Sequence, residues 1–388
     1  MAGLVYNLGD PEVVNVWENT LEREVRARDP LLDPDSGLAG TSPDSLIQQK
    51  DELTDGPGAF IRTKLRYQLD GRGRAGDEVL KGHSMAYQTA TDDVYVNTVR
   101  NAFAISSPIV QQYIQEDAMV EGRDGLADWF ASRFALACHA HAAGISIITD
   151  DAYRLHNTID ALNSTYIIRP NGKTAGNLTS SDTFDIDLIN EAARLVKMLR
   201  PKIRPAMTKY GPRYCVFLSP EQVFSLRESN SEWFAKMALA AQGGRIDDNG
   251  LWTRALGEDQ GFLFFESDFV PPGLNSGGTA FKANTRRAWI GGAQALFMAF
   301  GRGWKVAPGY SLNRFQWSRE AEDFNHQHEL AATTITGVSR PRYQKPGEAS
   351  AREHGVIVIE TYADHGQISA ADAFKDYVDA TGGLAVEA

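Results

Sequence analysis

Ile61-Arg62-Thr63-Lys64-Leu65-Arg66-Tyr67-Gln68-Leu69 alternates without a fault: apolar or β-branched at odd positions, basic or amide at even ones. Period two is the mark of a strand with one covered face. Asp70-Gly71-Arg72-Gly73-Arg74-Ala75-Gly76-Asp77 follows as a turn-rich tip. Thr89–Phe103 then brings Val94, Tyr95, Val96 and Val99, a second β-forming stretch. Together these predict a long β-hairpin with a glycine-rich tip. Its outer row of polar side chains does not require the chain's own core, and an unsupported two-stranded hairpin is marginal in water.

On the N-terminal side, residues 1–56 hold twelve acids and four bases, 4 − 12 = −8. Val14–Arg28 has the spacing of an amphipathic helix. Asp29–Gly58 holds Pro30, Pro34 and Pro43 and reads as an extended arm, because each proline removes an amide donor and disfavours helix before it. Such an arm is either loose or ordered only against a partner chain.

On the C-terminal side, Ser107-Pro108 opens a helical region. Gly122 and Gly125 predict a break or bend, and Leu126, Trp129, Phe130, Phe134, Ala137 and Cys138 predict a helix over 124–143 that Gly144 ends. Ser146–Ser181 reads as irregular. From 183 the pattern is α/β: a helix through Leu188–Leu199 stopped by Pro201, a buried strand Tyr214–Leu218, and the capping box Ser219-Pro220-Glu221-Gln222 starting a helix through Val223–Glu228. A strand Phe262–Glu266, a helical or mixed buried segment Ala288–Phe300 and a last strand Val356–Thr361 follow. Strands and helices interleave without regular βαβ spacing, so the fold class is α+β.

The composition narrows the function. The chain has 388 residues, enough for two or three subdomains. Its 39 bases and 50 acids give −11, a poor default for binding nucleic acid but no bar to a local basic strip. Two distant cysteines, Cys138 and Cys215, make neither a disulfide framework nor a zinc pattern. No secretory signal is expected at Met1–Val14, and the most apolar window, Ala288–Gly301, is too short to span a bilayer.

Chemical motifs are weak. Gly71-x-Gly73-x-x-Gly76 matches a dinucleotide fingerprint, but that mechanism needs a helix at the third glycine, where a hairpin is expected. Gly82-His83-Ser84-Met85-Ala86 resembles a nucleophile elbow, with Asp364-His365 as candidate partners, yet β structure is expected after it. His326-x-His328 lacks further ligands at matching spacing, and His139 and His141 fall on different helix faces. No catalytic residue, cofactor or metal is expected. That emptiness favours a structural role.

Several stretches, in order, resemble a tailed-phage major capsid protein of the N-four-like family. They are Gly76–Gly82, Leu126-Ala127-Asp128-Trp129-Phe130-Ala131, Tyr214–Gln222, Arg286–Ala295, Thr336-Gly337-Val338 and Val356–Thr361. The resemblance covers about residues 55–362 and leaves 146–181 and the segment after Asp364 unmatched. It implies the fold named for phage HK-ninety-seven: an N-terminal arm (1–58), an extended loop (59–105), a peripheral domain with a spine helix (106–182, completed by parts of 310–362), an axial domain (183–309) and a C-terminal tail (363–388). It also implies a non-enzymatic protein of the virion, made in the host bacterial cytoplasm, that assembles with itself into hexamers and pentamers. Scaffold, portal or decoration proteins are possible partners, and packaged DNA would be held by containment, with no membrane involved. A cellular encapsulating compartment and a serine hydrolase using Ser84 are the competing readings.

Residues 61–81 carry Arg62, Lys64, Arg66, Arg72, Arg74 and Lys81 against Asp70, Asp77 and Glu78, 6 − 3 = +3. Residues 115–128 carry Glu116, Asp117, Glu121, Asp124 and Asp128 against Arg123, 1 − 5 = −4. In the fold that the chain resembles, the extended loop lies over the neighbouring subunit's spine helix. The expectation is that these two strips face each other between chains.

Overall fold

The structure is a computed structural model that describes residues 21, 24–25, 31–32, 37–53, 57–67, 72–84, 88–105, 118–209, 211–230, 255–302, 314–322, 327–348, 350–384 and 386–387. The chain begins with strands β1 (Ala39–Gly40), β2 (Ile47–Leu53), β3 (Phe60–Arg66), β4 (Thr89–Tyr95) and β5 (Asn97–Ile105). Helix α1 (Ala118–Ala143) and the single turn α2 (Asp151–Arg154) follow, then β6 (Ile167–Ile168), α3 (Ile186–Met198), β7 (Ala206–Thr208), β8 (Gly211–Leu218) and α4 (Pro220–Ser229). Next come β9 (Ala255–Asp259), β10 (Phe262–Glu266), β11 (Pro272–Leu274), β12 (Phe281–Gly291), β13 (Leu296–Gly301), β14 (Phe315–Glu322) and β15 (Gln327–Ser339). The chain ends with β16 (Arg342–Tyr343), β17 (Arg352–Glu353), β18 (Val356–Tyr362), α5 (Ala370–Ala373), α6 (Lys375–Ala380) and β19 (Val386–Glu387).

Two sheets carry the body. The larger runs β6-β18-β12-β8-β10-β9, with β11 and β19 also on β12 and β7 on β8. The smaller runs β1-β2-β13-β15-β14, with β5 also on β15. Helix α1 touches β12 and β18 of the first and β5, β13 and β15 of the second. Its last ten residues are buried on every side, and five of them are alanine, which lets both sheets come close. Gly144 ends α1 at φ +68°, with Ile145 N–H bonding Ala140 O at 3.1 Å and Gly144 N–H bonding His141 O at 3.3 Å. Two buried arginines add donors there: Arg340 Nη1 to His141 O at 2.9 Å and Arg287 Nη1 to Ala143 O at 3.4 Å. Positive charge is favoured at a helix C-terminus.

The helix through Leu188–Leu199, the strand Tyr214–Leu218, the capped helix from Ser219 and the strand Phe262–Glu266 match the expectation, including the capping box at Ser219 and Gln222. Five readings are corrected. Of the break or bend expected at Gly122 and Gly125, the break is absent: α1 is continuous. Gly122 serves packing, because a Cβ there would lie 2.4 Å from the Phe103 ring. Ala288–Phe300, expected as helical or mixed, is strand: the end of β12, a tight turn, and β13. Both faces of these strands are covered, so the alternation that marks a strand is missing. Val356–Thr361 is not the last strand, since β19 returns to pair in parallel with β12. Thr89–Phe103 is not one arm of the hairpin. Only β4 pairs with β3, while β5 pairs with β15 across nine residue pairs.

The expected arm, fifth, is built into the body where it is described. Strand β2 lies between β1 and β13 in the smaller sheet, and Leu21, Val25, Leu31, Leu32 and Leu38 belong to the chain's own main core. Val25 and Leu32 line a small cleft together with Phe134, Met298 and Phe315. The rest of the Val14–Arg28 helix, and Ser107-Pro108, lie outside the described residues.

Candidate assembly surface

The hairpin β3–β4 is a separate two-stranded sheet, paired from Phe60↔Tyr95 to Arg66↔Thr89. Its alternation is as read: Ile61 and Thr63 are buried, and Arg62, Lys64 and Arg66 are exposed. The inner face is not free. Ile61 and Val94 pack with Leu53, Phe297 and Ala299. Burying one aliphatic side chain of this size is worth about 1.5–3 kcal/mol, which supplies what an isolated hairpin lacks.

Polar contacts fix the root of the hairpin on the body. Asn157 Oδ1 accepts from Tyr95 N–H at 2.9 Å, and its Nδ2 donates to Tyr95 O at 2.9 Å. Tyr95 O reaches this position because residue 337 is glycine; a Cβ there would lie 1.9 Å from that oxygen. Asp92 Oδ2 accepts from Arg342 N–H at 2.9 Å. Burial raises the Asp92 pKa, opposed by its backbone hydrogen bonds. Tyr343, pushed up to about 12 by burial, stays protonated and its hydroxyl bonds Thr63 Oγ1 at 3.2 Å. Tyr67 donates to Tyr343 O at 3.3 Å. None of these partners was legible in the sequence, because they lie 62 to 280 residues away.

The basic row divides in two. Arg62 faces Asp93 across the strands and binds it bidentately at 2.7 and 2.8 Å. That hydrogen bond raises the Arg62 pKa and lowers that of Asp93. At the tip, Arg72 and Arg74 share Glu78, each at 3.2 Å, and Arg74 Nη2 also donates to His83 Nδ1 at 3.0 Å. Lys64 and Arg66 make no ion pair among the described residues and point to solvent. Val79 and Leu80, beside the tip, are 71% and 66% exposed. Residues 61–81 hold only the first strand and the tip of the hairpin. Asp92 and Asp93 stood in the second strand, and register, once known, pairs Arg62 with Asp93.

Of the acidic strip, Glu121 and Asp124 lie exposed or half-exposed in the first turns of α1, and Asp124 binds Arg123 at 2.9 Å. Glu116 and Asp117 lie outside the described residues.

The alternative motifs meet structural ends. No helix starts between Gly73 and Ser84, so a pyrophosphate has no helix N-terminus to meet there; Gly71 lies outside the described residues. Ser84 is exposed, while His365 Nδ1 is engaged with Glu221 Oε1 at 3.1 Å. His139 accepts from Trp289 Nε1–H at 2.8 Å and contacts Ser267 Oγ at 3.1 Å through its other nitrogen. His141 Nε2 donates to Arg154 O at 2.8 Å. Burial pushes them down to about 3 and about 4, so both are neutral core residues. His326 lies outside the described residues, and His328 contacts Arg319. Among the described residues no three His, Cys, Asp or Glu side chains gather to hold a metal, and no helix is long and apolar enough to cross a membrane.

Solved structures share this architecture. The capsid of Ralstonia phage GP4 superimposes with a TM-score of 0.68 at 22% identity, covering 86% of this chain and 92% of that one. The capsid of cyanophage Pam1 gives 0.65 at 18% identity, covering 88% and 93%. The acidic stable capsid of Helicobacter pylori bacteriophage KHP30 gives 0.58 at 14% identity, covering 84% and 91%. These likenesses establish the α+β fold of the HK-ninety-seven type. No curated protein sequence matches. The model of one sequence family, described as phage capsid protein, matches residues 8–365, nearly the whole chain, and with the fold it makes this chain a member of the phage capsid protein family.

Proposed function

We propose that this capsid protein, of the N-four-like kind, assembles with itself into hexamers and pentamers of a closed icosahedral shell around the double-stranded DNA of a tailed phage. The observation that carries the reading is the hairpin. Its root is fixed by Asn157, Asp92 and Tyr343, while Lys64, Arg66, Val79 and Leu80 are exposed. A strap held at one end and bare at the other fits a neighbouring copy. Lys64 and Arg66 toward Glu121 and Asp124 of the next chain, with Glu116 and Asp117 completing the acidic strip, would set register and encounter more than affinity.

The test is light scattering and negative-stain microscopy of the purified protein. Closed shells or capsomers are expected, and an inert 42.6 kDa monomer under every assembly condition defeats the reading. Co-purifying enzyme cargo in place of DNA would move the protein to the cellular compartments. Reversing Lys64 and Arg66 to Glu should slow assembly, and reversing Glu121 and Asp124 to Lys should partly restore it. Salt should weaken the contact, since screening acts within about 8 Å at physiological ionic strength.

A further inference from the structure

The chain carries −11, yet residues 192–220 contain no acid and seven bases. They run along the second half of α3, through the linker after it and into β7 and β8. On α3, Arg194 and Lys197 are exposed and three residues apart, which puts them on one face. Beyond the helix, Leu199, Ile203, Ala206 and Thr208 are buried, while Arg200, Lys202, Arg204 and Lys209 are exposed. The fold therefore turns these positions inward and leaves the cations of the segment exposed, closely spaced along the chain.

The acids within reach are already engaged. Glu191 meets Arg194 at 3.8 Å, Asp44 meets Arg204 at 3.4 Å, Glu258 meets Arg213 at 2.6 Å, and Glu348 binds Arg352 at 2.7 Å. Lys197, Arg200, Lys202 and Lys209 make no ion pair among the described residues. The side chains exposed between them, Met198, Pro205 and Met207, offer nothing to base edges. Such a row suits phosphates spaced along a backbone and is blind to sequence.

We propose that this strip is the surface by which the shell protein touches the phosphates of packaged duplex DNA. The proposal rests on the genome-enclosing function above and adds which face of the chain meets the genome. An acidic protein segment is the other class of occupant, and the test separates the two.

Lysine acetylation, read by mass spectrometry, is compared on DNA-filled and emptied shells. Lys197, Lys202 and Lys209 should react several-fold more in emptied shells. Equal protection in both would mean that protein covers the strip, and equal reactivity in both would mean that nothing does; either result overturns the proposal. In parallel, duplex DNA binding by the soluble protein is titrated against salt. Four phosphate contacts give a slope of log affinity on log salt of about −3.6. The variant Lys197→Gln, Arg200→Gln, Lys202→Gln, Lys209→Gln should lose most of it, and an unchanged slope would also overturn the proposal. If the slope collapses in the variant but the wild type never forms shells, the strip stands and the enclosing function fails. If shells form and the slope is unchanged, the reverse holds.

Discussion

The hairpin and the junction of the two sheets both pair arginine with carboxylate, in opposite surroundings. Arg62 and Asp93 meet in solvent on β3 and β4. Glu360, wholly buried on β18, takes Arg169 Nε at 2.8 Å and Nη2 at 2.6 Å, with Arg287 Nε at 3.5 Å. Glu353, also buried, takes Arg340 at 2.9 Å and Arg342 at 3.3 Å. Two of them go further: Arg287 and Arg340 donate to the C-terminal carbonyls of α1, and Arg340 also to Asp160 O. Water solvates the hairpin charges whether or not they are paired. The junction charges are largely shut off from water and depend on each other and on nearby carbonyls, so losing one leaves its partner without compensation. One region keeps its charge available to a partner, and the other uses it up inside the fold.

The comparison breaks most sharply at Glu360. Glu360→Ala strands two largely buried guanidinium groups and should cost about 3–5 kcal/mol in chemical denaturation. A loss well under 1 kcal/mol would mean that water reaches the junction.

Acid should find the buried region next. Burial, with Arg204 nearby, pushes His354 down to about 4. Below pH about 6.5 the unfolded chain takes up this proton and the native one does not. Its contribution is therefore full above that pH and falls as pH drops toward 4, at about 1.4 kcal/mol per pH unit. His354→Gln should flatten the pH dependence by about 2 kcal/mol between pH 7 and 5. His139 and His141 add in the same sense. A second window lies lower. Burial opposes the Glu221 charge, but His365 and Arg286 overcome it and hold its carboxyl well below the usual range. That contribution is present above the ordinary glutamate pKa and is lost as pH falls through the depressed one. Glu221→Gln should flatten the curve below about pH 4.3 only.

At the boundary between the regions, Asn157→Ala removes both bonds to Tyr95 and should cost about 1–3 kcal/mol. Hydrogen exchange should rise in β3 and β4 while β12 and β18 keep their protection. Uniform loosening would show that the root is not a local clasp.

The smallest effect on folding belongs to the exposed pair. Arg62→Ala should leave the unfolding midpoint within error and blunt only its response to salt. A marked loss of stability would place Arg62 with the junction arginines.

The sequence by itself determined the hairpin strand, because a half-covered strand writes its two faces as alternation, Ile61 and Thr63 against Arg62 and Lys64. It determined α3, the strand Tyr214–Leu218 and the cap at Ser219 for the same reason: their signals are local, within four residues. Tertiary structure decided the rest. β12 and β13 are covered on both faces and so carry no period, Gly122 is a packing site for Phe103, and the Thr89–Phe103 run divides where Asn157 and Gly337 seize Tyr95. It also decided which charges remain free on the hairpin, since Arg62 and Asp93 are 31 residues apart and only strand register brings them together. Local order follows from neighbours along the chain, whereas partners across it are fixed only when the two sheets close on α1.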